Sequence, residues 1–418
     1  MFHSRGATVA VDSLGPAPEA SHFRAEIAGL RAIAVIVVVL FHLKADGLHG
    51  GFIGVDIFFV ISGYLITRNI LLDLRTDRFS LGQFYVRRTR RIYPALIFTV
   101  VATYLCGALW CSPQMFLDLA KECTHALLSI SNIQYWRESQ QYFARTSQEL
   151  ALLHCWSLSL EEQFYLVWPL FLVLACKLRR PFQVIAIAAL ASLLFSVIVT
   201  RTDPQAVFFL MPFRVFEFAC GALVLLLERR FRPSDAAANI LSAAGLLCIA
   251  ASALLFKSDM PYLGAATLLP CLGAAAIIWA GSKPRASRVL TNPAMVGVGA
   301  ISYSLYLCHW PIIFFARFIF GDAANSAAAA LIMVVLMIAI ATAMYLLIER
   351  RFIQPPGARP ITFWKNAAAF GSVILALAAI THTTFLQKGF PWRLPEAAEE
   401  LAHLQSYPTG RDLEPVAG

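Results

Sequence analysis

Apolar residues along this chain gather into long blocks separated by short charged stretches. The blocks fall at roughly 30–45, 52–72, 92–110, 157–176, 182–200, 208–228, 236–256, 263–281, 296–319, 326–348 and 366–386. A membrane-crossing helix needs about 20 apolar residues, with shorter runs tolerated, so the pattern predicts eleven helices. The fold class it implies is all-α, a polytopic integral membrane protein. The longest connection, 111–156, contains a semi-apolar piece over 123–135, which is expected to form an interfacial helix rather than a re-entrant one.

Charge in the connections orients the chain. With the N-terminus in the cytoplasm, alternate loops place twenty-one lysines and arginines inside and ten outside. That asymmetry is the positive-inside pattern, and it puts the C-terminus outside. Residues 1–22 are expected to be a disordered cytoplasmic segment with no cleavable signal. Residues 357–386 should supply a cytoplasmic loop and an additional helix, and 387–418 an extracytoplasmic tail.

Composition agrees with this reading. Hydrophobic residues make up 59% and charged residues 14%, and the mean hydropathy is +0.67. A soluble globular protein is excluded. The formal charge of +9 lies in loops between apolar blocks, where topology accounts for it, so no nucleic-acid partner is expected; the partner is the lipid bilayer. Nine cysteines show neither CxxC pairs nor ligand spacing, and no metal site is expected.

Candidate chemistry begins with Arg31 and His42. Eleven helical steps return to within about 20° of the start, so both side chains share one face, about 16 Å apart. Ionisable groups inside a membrane helix point to function, whereas snorkelling to the two interfaces is the bland alternative. Asp56 adds a buried acid in the next block. The run FYVRRTRRIYP carries two overlapping RxxR pairs, Arg87/Arg90 and Arg88/Arg91. Forked guanidiniums suit phosphate, helped by free N–H groups in the first helical turn, although basic residues there also serve as topology determinants.

In HCWSLSLEEQFYLVWP, Ser157 or Ser159 is placed to cap a helix, and Glu161, Tyr165 and Trp168 share one face that could line a sugar-sized pocket. Arg214 and Glu217 are spaced to satisfy each other. Tyr303, His309 and Trp310 mark the ninth block, and Glu349 ends the tenth.

Together these pieces resemble the membrane acyltransferase-3 family, in order from about residue 23 to 356. They are the Arg-x10-His pair, GFIGVDIFFVISGYLI, RRTRRIYPAL, HCWSLSLEEQFYLVWP, the Arg214 helix, ISYSLYLCHWPI and the Glu349 region. The resemblance implies a transmembrane acyltransferase domain over 23–356 in the bacterial inner membrane. It implies O-acyl transfer, commonly of acetyl, from acyl-CoA (acetyl-CoA) as co-substrate to an extracytoplasmic or lipid-linked glycan, with no permanently bound cofactor. By resemblance His42 is the general base, with Asp56 or a neighbouring acid such as Glu161 orienting it. Arg31, Arg88 and Arg91, with Arg87 and Arg90 in the overlapping register, bind acyl-CoA. Tyr165, Arg214, Tyr303 and His309 form the acceptor pocket.

The chain departs from the family pattern at Ala28, where an acid is frequent, which leaves Glu26 or Asp56 as counter-ion to Arg31. Cys155 stands where Thr is frequent, and ERRFIQPP matches the family's usual ending poorly beyond Glu349. GFPWRLP resembles the lead into an SGNH-type domain; the tail carries no GDS-type motif, so such a partner would be a separate chain. The rival reading is a secondary transporter or flippase for an anionic or lipid-linked substrate, using the same buried charges.

Overall fold

The computed structural model of the chain describes residues 23–141, 145–257, 264–353 and 361–393. Every regular element among the described residues is helical. In chain order the α-helices are α1 (Ala25–His42), α2 (Gly54–Arg75), α3 (Leu81–Trp110), α4 (Pro113–Leu127), α5 (Ser131–Ser139), α6 (Cys155–Lys177), α7 (Pro181–Val199) and α8 (Pro204–Phe209). Then follow α9 (Val215–Glu228), α10 (Asp235–Leu255), α11 (Leu268–Ala280), α12 (Arg288–Thr291), α13 (Pro293–Phe320), α14 (Ala327–Met344), α15 (Arg350–Phe352) and α16 (Phe363–Leu386). Among the described residues nine helical stretches are long and apolar enough to cross a membrane. Two of the predicted blocks fall on shorter helices, α9 with 14 residues and α11 with 13.

Three elements differ from the hydropathy pattern. Helix α3 starts at Leu81, well before the block at 92, because arginine is a good helix former that a hydropathy window rejects. Ser80 caps it by accepting from the Gln83 N–H, so the free N–H groups of the first turn precede the arginines instead of surrounding them. The 208–228 block is broken in two. Leu210 is extended, and a 3-10 turn over Met211–Phe213 contains Pro212, so α9 begins only after Arg214, its N-cap residue. The 111–156 connection forms two helices, α4 and α5, rather than one interfacial helix over 123–135. They meet at Ser129, whose φ of +56° turns the chain.

Packing in the bundle relies on close backbone approach, as expected where lipid removes the hydrophobic drive for helices to associate. A Cβ at Gly63 of α2 would run into the Phe218 carbonyl, and one at Gly221 of α9 into that of Val60. Gly299 of α13 lies equally tight against Ala28 of α1.

Arg24 locks one end of the bundle. Its guanidinium pairs with Glu26, donates to the Tyr64 hydroxyl at 2.6 Å and to the Ile278 carbonyl at 2.5 Å, and approaches Glu228 at 3.4 Å. At the far end Arg393 donates to the carbonyls of Ala108 and Cys111, the latter at 2.7 Å, over the Phe116 ring. The start of the GFPWRLP segment therefore caps α3. The expected segment 1–22 and residues 394–418 of the expected tail 387–418 lie outside the described residues.

Candidate active site: two chambers joined at Tyr306

The face that Arg31 and His42 share opens into two spaces. Arg31 lines the first, with Arg88 and Arg91 of α3, Ser62, Glu161, Tyr165 and Tyr303. This arginine chamber holds about 90 Å³ of free space. Among the described residues none of its three arginines forms a salt bridge, and the buried Arg88 Nε has no partner. Arg91 lies close enough to oppose the charge of Arg31, while Glu349 and Glu161 act in its favour. Glu349 reaches this position from a single π-helical turn, Tyr345–Glu349, and accepts from Ser304.

The overlapping RxxR registers separate here. Arg87 pairs with Asp73 at 2.6 Å, and Arg90 donates to the Phe352 carbonyl at 3.1 Å while lying over its ring. Both face away from the chamber, so of the four candidates only Arg88 and Arg91 point into it. Helical geometry explains the split, since residues three apart share a face and adjacent ones do not.

Glu161 accepts from Ser62 and, at 2.6 Å, from the Tyr165 hydroxyl, and Arg88 lies over the Tyr165 ring. Tyr303 donates to the Ile92 carbonyl at 2.8 Å. Tyr165 and Tyr303, expected in an acceptor pocket, thus belong to the arginine chamber. Trp168 instead donates to Thr67 and is absent from the chamber lining. Ser157 and Ser159 do not cap α6: Ser157 bonds back to the His154 carbonyl, and Ser159 accepts from the Ser131 N–H.

The second space, the histidine chamber, has a volume of about 530 Å³ and is lined by His42, Asp56, His154, Trp156, Arg214, Tyr306 and Trp310 among others. Tyr306 and Val55 line both chambers. The Tyr306 hydroxyl is held by Ser157 at 2.6 Å and donates to the His154 carbonyl at 3.2 Å.

The His42 ring stacks on that of His309, with Nδ1 3.0 Å from His309 Nε2. His309 Nδ1 lies 2.5 Å from the Tyr306 carbonyl. A carbonyl only accepts, so His309 carries its proton on Nδ1, and in a neutral ring its Nε2 must accept. His42 then donates from Nδ1, which leaves its Nε2 with a free lone pair. Trp310 packs edge-on against His42, and Arg317 donates to the His42 carbonyl at 2.8 Å.

Asp56 lines the chamber, yet its carboxylate accepts from Arg214 at 2.6 Å, and Arg214 Nε meets Glu217 at 2.9 Å. The ring partner of His42 is His309, not Asp56. Glu26, held by Arg24, and Asp56, held by Arg214, are likewise not the counter-ions of Arg31. The Arg214–Glu217 pair expected from spacing is present, with Asp56 as a third member. His154, whose ring lies 5.5 Å from that of His309, Tyr306 and Arg317 were not singled out as candidates by sequence reasoning. His154 and Tyr306 do sit inside the HCWS and YSLYLCHW runs that drew attention.

Over this chamber, Arg145 donates to Glu122 at 3.0 Å and to Glu138 at 2.9 Å. Burial pushes the Glu122 carboxyl up to about 7, against the pull of Arg145 and of the Leu152 N–H. Glu138 is only partly buried, and Lys121 and Arg145 hold it below the usual carboxylate range.

Residues 24–346 match the family model described as an acyltransferase domain. The chain belongs to this acyltransferase family and is a multi-pass bacterial membrane enzyme. It is 33% identical over 360 residues to BcsY of Komagataeibacter xylinus, named as a membrane-bound transacylase, covering 85% of this chain and 90% of that one. It is 33% identical over 306 residues to the peptidoglycan O-acetyltransferase OatA of Listeria monocytogenes, and 29% over 382 to the O-acetyltransferase OatA of Staphylococcus aureus. Those alignments cover 69% and 86% of this chain but span only 49% and 62% of the two relatives. No solved structure matches the chain.

Proposed function

We propose that this chain is an O-acyltransferase that moves an acyl group, acetyl first, from cytosolic acyl-CoA to a hydroxyl of an extracytoplasmic or lipid-linked glycan. The observation that carries the reading is the placement of Arg31 and His42 in two chambers that meet at Tyr306. Three guanidiniums that form no salt bridge among the described residues suit the phosphates of CoA, and their forked donors would grip them from two helices. The basic loops favour the arginine end in the cytosol. The pantetheine arm then passes Tyr306 and presents its thioester to the histidine chamber. The curated relatives named as O-acetyltransferases support a hydroxyl acceptor.

There His42 Nε2 takes the proton of the acceptor hydroxyl as its oxygen attacks the thioester carbonyl. The C–O bond forms, the C–S bond breaks, and the thiolate takes the proton back from His42. His309, itself fully buried, holds the His42 tautomer that makes this exchange possible.

The test uses the protein in lipid nanodiscs with acetyl-CoA and glycan acceptors. Acceptor-dependent release of CoA thiol, with ester on the glycan, is the expected result. Solute movement without thiol release would favour the transporter reading instead. His42→Ala should insert normally and lose about 10²–10⁴-fold in rate.

A further inference from the structure

A third cavity, of about 430 Å³, lies across Trp310 and Arg145 from the histidine chamber, and those two side chains line both spaces. The Trp310 indole N–H donates to the Leu150 carbonyl at 2.6 Å, so the ring is a fixed divider. Phe318 adds a second aromatic surface, and Gln148 and Asp118 supply amide and carboxylate groups. Arg317 also lines this cavity. It spends Nη2 on the His42 carbonyl, while its Nε is buried and has no partner among the described residues.

A buried donor left unpaired is costly, so an acceptor oxygen brought to Arg317 is favoured. Aromatic faces beside amide and carboxylate groups match the alternating apolar faces and hydroxyl rims of sugar rings. Asp118 opposes an anionic ligand. The volume lies in the usual range for small-molecule sites, roughly 300–1,000 Å³.

We propose that this third cavity is a second acceptor subsite, which holds the neighbouring sugars of a neutral oligosaccharide while the acylated sugar sits beside His42. The inference rests on the saccharide-acceptor reading above and extends it, because the preferred substrate becomes an oligomer and not a single sugar. Arg317 then links the two spaces directly. The same guanidinium that meets the distant sugar fixes the backbone of the histidine that meets the reacting one. Binding energy from a remote sugar is thereby available to turnover as well as to affinity.

The experiment compares β-1,4-linked glucose and N-acetylglucosamine series of one, two and four sugars as acceptors, with the full chain in nanodiscs and acetyl-CoA as donor. The readout is kcat/KM for each length. The expected result is a gain of about tenfold from one sugar to four, split between kcat and KM. Gln148→Trp, which fills the cavity from an exposed 3-10 turn, should bring that ratio close to one, and Gln148→Ala should fall between. A wild-type rate independent of length would overturn the subsite while leaving acyl transfer standing. A length gain that survives Gln148→Trp would overturn it too, since the extra sugars would bind elsewhere. No transfer to either series, with acetyl-CoA still bound, would overturn the saccharide-acceptor reading and the subsite with it.

Discussion

His42 and His309, 267 residues apart in the chain, meet ring to ring with 3.0 Å between Nδ1 and Nε2. Because His309 is itself fixed by the Tyr306 carbonyl, the contact has a direction, running from a backbone oxygen through one imidazole to the next. On the proposed reading, His309 positions and His42 meets substrate.

Replacing His309 should therefore lower kcat and leave the KM for acetyl-CoA unchanged. Glutamine can donate to the Tyr306 carbonyl and accept from His42, whereas leucine can do neither. His309→Leu should lose about 10²-fold in kcat, and His309→Gln should keep much of the activity. Equal loss in both variants would show that only the volume of the ring matters.

The two arginine registers should behave differently. Arg88→Ala and Arg91→Lys are expected to raise the KM for acetyl-CoA by about tenfold or more, because lysine keeps the charge and loses the fork. Arg87→Ala and Arg90→Ala, whose guanidiniums turn to Asp73 and Phe352, should leave donor titration near wild type. Donor titrations that shift alike in all four variants would mean that the run acts only through its summed charge.

Asp56 and Arg214 should matter to folding before chemistry. Breaking a buried ion pair by removing one partner typically costs about 3–5 kcal/mol. Arg214→Met should sharply reduce the yield of folded protein from membranes. Asp56→Asn, which keeps one acceptor oxygen, should be milder and leave the pH dependence of kcat in place. A moved pH profile in Asp56→Asn would return Asp56 to the base.

Glu122 gives a prediction in pH. Its carboxyl is raised to about 7 in the folded chain, above its unfolded value. The folded state therefore holds the proton more tightly, and stability falls as pH rises from about 5 through 7. The loss is on the order of 3 kcal/mol at most. Glu138, shifted the other way, acts only at lower pH. Thermal melts in nanodiscs should show a Tm that drops between pH 5 and 8 in the wild type and stays flatter in Glu122→Gln.

Much of this architecture is visible in periodicity. Each of the eleven apolar blocks contains a helix among the described residues, although 208–228 is interrupted, and the spacing of Arg31 and His42 does place both on the face that lines the two chambers. What periodicity measures is burial in lipid, and it fails where a helix carries charge, as over the first turns of α3. It also fails where a proline interrupts an apolar run, as at Pro212. Spacing showed two arginine pairs without choosing between them, because the choice depends on which neighbours α3 meets. The approach of His309 and His154 to His42 follows from helix crossings across most of the chain, and no local pattern records it. Asp56 lies one apolar block after Arg31 and His42, but its partner Arg214 comes from the N-cap of α9.

The glycines that let α2 meet α9, and α13 meet α1, have a mechanical consequence. Helices that touch through their backbones are rigid joints, since any slide would drive carbonyls into one another. His42 on α1 and Asp56 on α2 therefore stand on a fixed frame. Helix α3, which carries Arg88 and Arg91, makes its main contacts with α4, α13, α16 and the π-helical turn. On the proposed reading, room for the donor's headgroup comes from α3 rather than from the glycine-joined helices that carry His42.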